Sequence, residues 1–376
     1  MSAMRVAGGT GPGMLAAGLA VLVLLAGCAA AGRAGGGAQA QGLGARVLRE
    51  YIQPATRALQ DDTSRLAAAM GSYCASPADA LRRTEVESHL GEVAASWAAV
   101  EVLRFGPLVE QNRLEQFFFW PDPRGVLQRQ MRSTLAAADS SLLDAAKLRA
   151  QSVAVQGLPA LEYALHADDG ARQIASGDAA GAFRCAYAGA VAANLERLAG
   201  EIESAWSKDA PFAREFAYPA ADNDVYRSSG EVATEVLKAL STALHVARDQ
   251  KLQPALGEDA ASARASLMPL YRSGLSRDFL AASVAAMARL HAAGGFGAAL
   301  PADSKWIDSG IGDELQRVQQ DLADLTMPMD RALGDESGRD LLVHAALLLA
   351  NTRAMVDEYL APALGVNLGF NSLDGD

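Results

Sequence analysis

The chain has 376 residues, half of them hydrophobic, with 33 basic against 44 acidic side chains and a formal charge of −11. A surface this acidic, with no polybasic stripe, excludes nucleic acid as a partner. The H-E-x-x-H, C-x-x-C, G-x-S-x-G and P-loop patterns are all missing, which removes the common zinc-peptidase, redox, hydrolase and nucleotide-binding signatures.

The N-terminus reads as an export signal over residues 1–27. Arg5 stands in a short basic region, an apolar core runs from Met14 to Leu25, and small residues follow. The stretch Leu25-Ala26-Gly27-Cys28 is similar to the lipobox of bacterial lipoproteins. That resemblance implies cleavage before Cys28, lipidation of its sulfur and attachment to a membrane; Ala29 in the next position implies the outer membrane, facing the periplasm. Residues 28–45 are rich in Gly, Ala and Gln, with little to bury, and read as a flexible tether.

After the tether, apolar residues recur at helical spacing. Val86, Leu90, Val93, Trp97 and Val100 form one stripe; Val191, Leu195, Leu198 and Ile202 form a second; Val232, Val236, Leu240 and Leu244 form a third. No segment alternates with period two, so the predicted class is all-α. Helix breakers cluster at 105–107, 120–125, 157–159, 209–224 and 294–304. The longest cluster, 209–224, is the best domain boundary and divides the fold into bundles 46–215 and 216–376.

Cys74 and Cys185 remain once Cys28 is set aside, an even pair in a chain sent to an oxidising compartment. A disulfide is the preferred reading, and two free buried thiols are the alternative. The five histidines are scattered without metal spacing. His166 follows Glu162 by four residues and would share its helix face, either as a metal pair or as an ordinary i,i+4 pair. Gly157 and Pro159 break the helical pattern just before Glu162. Either a helix simply starts there, with Glu162 in its opening turns, or the break aims Glu162 at a site.

Four stretches, 104–125, 151–165, 294–308 and 351–376, resemble in order the signature segments of the imelysin-like family, also called the M75 peptidase family. The resemblance runs from about residue 48 to the C-terminus. It implies an exported all-α protein of two four-helix-bundle-like halves related by duplication, with a site in the cleft between them and a link to iron uptake. The family motif G-x-H-x-x-E falls on Gly157 to Glu162, with Pro159 in place of the histidine. A His/Glu metal pair of the family type therefore cannot form at this position. His166 is the candidate substitute, so Glu162 and His166 are the expected ligands of iron or another divalent metal. Asn112, Arg113, Trp120, Asp122, Arg124, Asn367, Asn371 and Asp374 are the further cleft candidates, with helix or turn capping as the alternative for Asp122 and Asp374. The expected function is a lipid-anchored periplasmic binding or accessory component working with iron-transport components. The alternatives are an M75-type metallopeptidase and a helical scaffold without a small ligand.

Overall fold

The computed structural model describes residues 42–369; Cys28, Asn371 and Asp374 lie outside the described residues. All regular structure among them is helical, with no strand. The expected all-α class therefore holds.

The chain enters through α1 (Leu43–Val47), followed by α2 (Gln53–Ala75) and α3 (Ala80–Glu101). Asp79 caps α3 by accepting hydrogen bonds from the backbone N–H groups of Leu81 and Arg82. The stripe from Val86 to Val100 is buried along this helix, as its spacing predicts. After α4 (Val126–Ala137) and the short α5 (Leu158–His166), the long α6 (Ala179–Ala205) packs on both α2 and α5. Its own stripe, Val191 to Ile202, is buried as well. The remaining chain forms α7 (Pro211–Ala217), α8 (Ser229–His245), α9 (Ser276–Gly294), α10 (Lys305–Asp324) and α11 (Glu336–Ala354). In this half α11 packs on α10 and α8, and α9 packs on α10 and α8. The contact of α3 with α9 joins the two halves, and one continuous apolar core runs through both.

Two boundaries differ from the sequence reading. The tether cannot reach residue 45, because Leu43 is already helical and buried, and Gly44 lies so close to α7 that a Cβ there would meet the Phe216 carbonyl. At the expected domain boundary, the 215/216 division falls inside α7. Trp206 stacks edge-on against Phe212 and Phe216 at 5.2 and 5.6 Å, and both phenylalanines also contact Tyr226. Breaker composition marked the turn correctly, but aromatic packing made it a corner of the core.

Among the described residues three π-turns interrupt the helices, at Leu48–Ile52, Val246–Leu252 and Met355–Leu360. Each is followed two residues later by a proline: Pro54, Pro254 and Pro362. Proline has no N–H to donate and its ring crowds the carbonyl four residues back, so the local ladder shifts to the wider spacing. The three segments read YIQPA (51–55), KLQPA (251–255) and YLAPA (359–363), a short internal repeat.

A disulfide joins Cys74, at the end of α2, to Cys185 in α6, with Cα atoms 5.6 Å apart. The preferred cysteine pairing is the one formed.

Candidate functional site

The break at 157–159 is a matter of space. Gly157 has φ −108°, a conformation any residue adopts, yet a Cβ there would lie 2.5 Å from the Phe117 carbonyl oxygen and 2.7 Å from that of Gln116. Only glycine lets these two backbones touch. The Gly157 carbonyl then accepts from the N–H groups of Ala160 and Leu161, opening α5, and Pro159 sits in the first turn where its missing N–H leaves nothing unpaired. Residues 158–165 of α5 are all buried, so the helix carries Glu162 into the interior.

Glu162 is 1 % exposed and meets the other half of the chain. Its Oε1 accepts from the Ser273 backbone N–H at 2.9 Å and from the Ser273 hydroxyl at 3.0 Å. Arg272 Nη1 stands 3.8 Å from Oε2. Burial pushes the Glu162 carboxyl above the usual range, while Ser273 and the Arg272 guanidinium pull it back. The loop that supplies these partners turns through Leu270 at φ 54° and Gly274 at φ 74°. A leucine in the left-handed region is uncommon. It is held there by the hydrogen bond from the Leu275 N–H to its carbonyl.

Arg272 is also framed by aromatic rings, with its guanidinium 5.1 Å from the Tyr163 ring centroid and 4.4 Å from that of Tyr271. Stacking of this kind orients a guanidinium without consuming its N–H donors. Tyr163 in turn donates to Asp168 at 2.7 Å, and Arg132 lies 3.5 Å from the same carboxylate. The Tyr163 hydrogen bond, reinforced by Arg132, holds the Asp168 carboxyl below its usual value. The end of α5 is fixed by Arg184, which donates to the carbonyls of Ala164, Tyr163 and Ala167.

The other residues expected in the site take separate positions. His166 looks toward Glu87 and Arg83 of α3, and its buried Nε2 makes no hydrogen bond among the described residues. Burial lowers its pKa. Asp122 accepts from the N–H groups of Val126 and Leu127 and so caps α4. Arg113 is buried, donating to the Pro107 carbonyl and pairing with Glu201. Asn112 is exposed at φ 56°, Trp120 is half-buried against the core, and Arg124 is exposed with its carbonyl accepting from Arg129. Asn367 lines a separate cavity in the C-terminal half.

Arg272, Ser273, Tyr163 and Tyr271 escaped the sequence reading. The signal that could have found Tyr271, Arg272 and Ser273 is Pro269 and Gly274 bracketing a Tyr-Arg-Ser run, a breaker pair like those at the other marked loops.

A resident metal ion of the family kind does not fit these residues. Pro159 offers no nitrogen, the position four residues beyond Glu162 faces α3, and a guanidinium occupies the remaining side of the carboxylate. No group of three His, Cys, Asp or Glu side chains converges on a common point among the described residues. A cation at Glu162 would be repelled by Arg272 and would need two further donors that the described residues do not place there.

The family model described as Imelysin, Peptidase M75, matches residues 48–355. No curated protein matches the chain. Among solved structures, an imelysin-like protein from Psychrobacter arcticum 273-4 superposes with a TM-score of 0.72 at 20% identity, covering 88% of this chain and 97% of that one. A protein named as an iron-regulated protein A precursor from Parabacteroides distasonis ATCC 8503 superposes with a TM-score of 0.68 at 13% identity, covering 86% and 95%. At these identities the likeness is one of fold. With the family model spanning most of the chain, this protein belongs to the imelysin, or M75 peptidase, family.

Proposed function

We propose that the chain is a lipid-anchored periplasmic binding or accessory component in iron acquisition, and that the seam around Glu162 is where it holds its ligand. The reading is supported by family membership, by the name of the Parabacteroides neighbour and by the LAGC sequence ending at Cys28. The observation that carries it is the placement of Arg272. Its guanidinium is positioned by Glu162 from the other half of the chain and flanked by two tyrosine rings, yet its side chain is still 17% exposed. A fixed guanidinium between rings suits planar oxygen anions and repels free cations. The ligand is accordingly iron already held by carboxylate oxygens, and iron-transport components are the proposed partners that deliver or receive it.

Intrinsic fluorescence titration tests this with ferric citrate, free ferrous ion and free zinc ion on the full chain. The citrate complex should bind, the free ions should not, and Arg272→Ala should weaken the complex about tenfold, the loss of one charge-assisted contact. Equal binding of free ions, or an Arg272→Ala variant that binds like the parent, would refute the assignment. The anchor has its own test: Cys28→Ser should move the protein from the membrane to the soluble fraction, and retention on the membrane would rule it out.

A further inference from the structure

The C-terminal half holds a polar assembly that the Glu162 seam does not use. Between α8 and α11, where a helical bundle ordinarily packs apolar side chains, His245 Nδ1 lies 3.0 Å from Asp249 Oδ2 and 3.1 Å from Arg353 Nη1. Arg353 Nε lies 3.4 Å from Asp357 Oδ2, and Arg248 pairs with Asp249. The arrangement is repeated across the interface: His245 and Asp249 stand nine and five residues before Pro254, and Arg353 and Asp357 stand nine and five before Pro362. Each set therefore straddles the entry to a proline-coupled π-turn, Val246–Leu252 on one helix and Met355–Leu360 on the other. Wide turns of this kind re-aim side chains and concentrate at functional sites. Half-buried ion networks are poor sources of stability compared with apolar packing, whereas facing bundle helices are a common place to build ligand sites.

Two cavities flank the Arg353–Asp357 pair. One, of about 170 Å³, is lined by Lys238, Ser241, Arg353, Asp357 and residues 367–369. The other, of about 280 Å³, is lined in part by Arg248, Asp249 and Glu358, and Arg248 Nε is buried there without a hydrogen bond among the described residues. The smaller cavity is dominated by donors. Lys238 contributes an ammonium, Ser241 a hydroxyl and Arg353 a guanidinium, while Asn367 has its carbonyl oxygen taken by the Gly369 N–H and so offers its amide N–H groups. Among the described lining residues the one carboxylate is Asp357, which is paired with Arg353. A donor-rich cavity in a chain of charge −11 is a local reversal of sign.

We propose that the space between α8 and α11 is a second ligand site, taking a small oxyanion, carboxylate or phosphate, of about five to ten non-hydrogen atoms on the Lys238 side of the Arg353–Asp357 pair. The size follows from the cavity, since a void of roughly 150 Å³ admits a six-carbon ring. The site is independent of the reading given for Glu162 and is tested in a background that lacks it. Calorimetry on the full-length Arg272→Ala variant at low ionic strength uses succinate, glutamate and inorganic phosphate as probes. At least one should give a saturable isotherm with Kd below about 1 mM. Adding Lys238→Ala should weaken it about tenfold, and Lys238→Arg should restore it to within about threefold. A preference for succinate or glutamate over phosphate identifies a carboxylate ligand, and the reverse a phosphate. No saturable heat with any probe, or an affinity that Lys238→Ala leaves unchanged, overturns the proposal.

Discussion

At the scale of single residues, Glu162 sits in an environment that disfavours its charge, for the sake of a contact across the seam. Burial raises its carboxyl above the ordinary value of 4.5. The folded chain therefore binds this proton more tightly than the unfolded chain. The stabilisation from that proton is complete below the unfolded value and is lost as pH rises through the folded one. Replacement by Gln keeps an acceptor for Ser273 and removes the charge. Thermal melts of Glu162→Gln should thus match or exceed the parent at pH 8, by on the order of 1 kcal/mol, and lose that advantage toward pH 4. A variant that is equally destabilised at both pH values would show that Glu162 is an ordinary structural carboxylate. Asp122 illustrates the opposite case: the loop suggested recognition, but both oxygens are spent on the first turn of α4.

At the scale of elements, the contact of Gly157 with the backbone at 116–117 decides where α5 begins. Adding one methyl group at Gly157 drives it into two carbonyl oxygens that belong to backbone and cannot swing aside. Gly157→Ala should cost about 2–4 kcal/mol and, by shifting α5, loosen the Glu162–Ser273 contact. Chemical denaturation measures the first effect, and the ferric citrate titration measures the second. A loss below about 0.5 kcal/mol would mean that residues 116–117 yield easily. The π-turns teach a related lesson. Each proline was visible in the sequence, but the consequence of a proline inside a packed helix, a break or a widened turn, depends on whether the flanking turns are held by neighbours.

At the scale of the whole molecule, two cross-links operate at different levels. Within the N-terminal half, the Cys74–Cys185 disulfide closes a loop of 111 residues. Removing it by Cys74→Ser with Cys185→Ser should destabilise the fold by about 2–5 kcal/mol, read as a lowered melting temperature that reducing agent does not lower further. Between the halves, Lys251 Nζ meets Glu101 Oε2 at 2.6 Å and Ser283 Oγ at 3.2 Å, and lies 4.3 Å from the Phe279 ring centroid. Burial pushes the Lys251 amine down and Glu101 opposes it, while for Glu101 burial is outweighed by Lys251 and Arg104, which hold its carboxyl below the usual range. Lys251→Ala would strand a buried carboxylate and should cost about 3–5 kcal/mol, whereas Lys251→Met with Glu101→Leu should recover much of that loss. Equal losses in the single and double variants would contradict this account.

The helices, the registers of three buried stripes and the break in the helical pattern at Gly157 and Pro159 were legible in the chain itself. They follow from local properties: a period of 3.6 positions apolar residues on one face wherever the helix lies, and glycine and proline mark a helix start. The parity of Cys74 and Cys185 likewise pointed to their pairing. What faces Glu162 was beyond that kind of reading, since Arg272 and Ser273 are more than a hundred residues away and their loop carries no periodic signal. The same holds for His166, which shares a short helix with Glu162 but is turned toward α3 by the packing around it. Spacing along a helix says which side chains are neighbours on its surface. Only the folding of one half against the other decides what each of them meets.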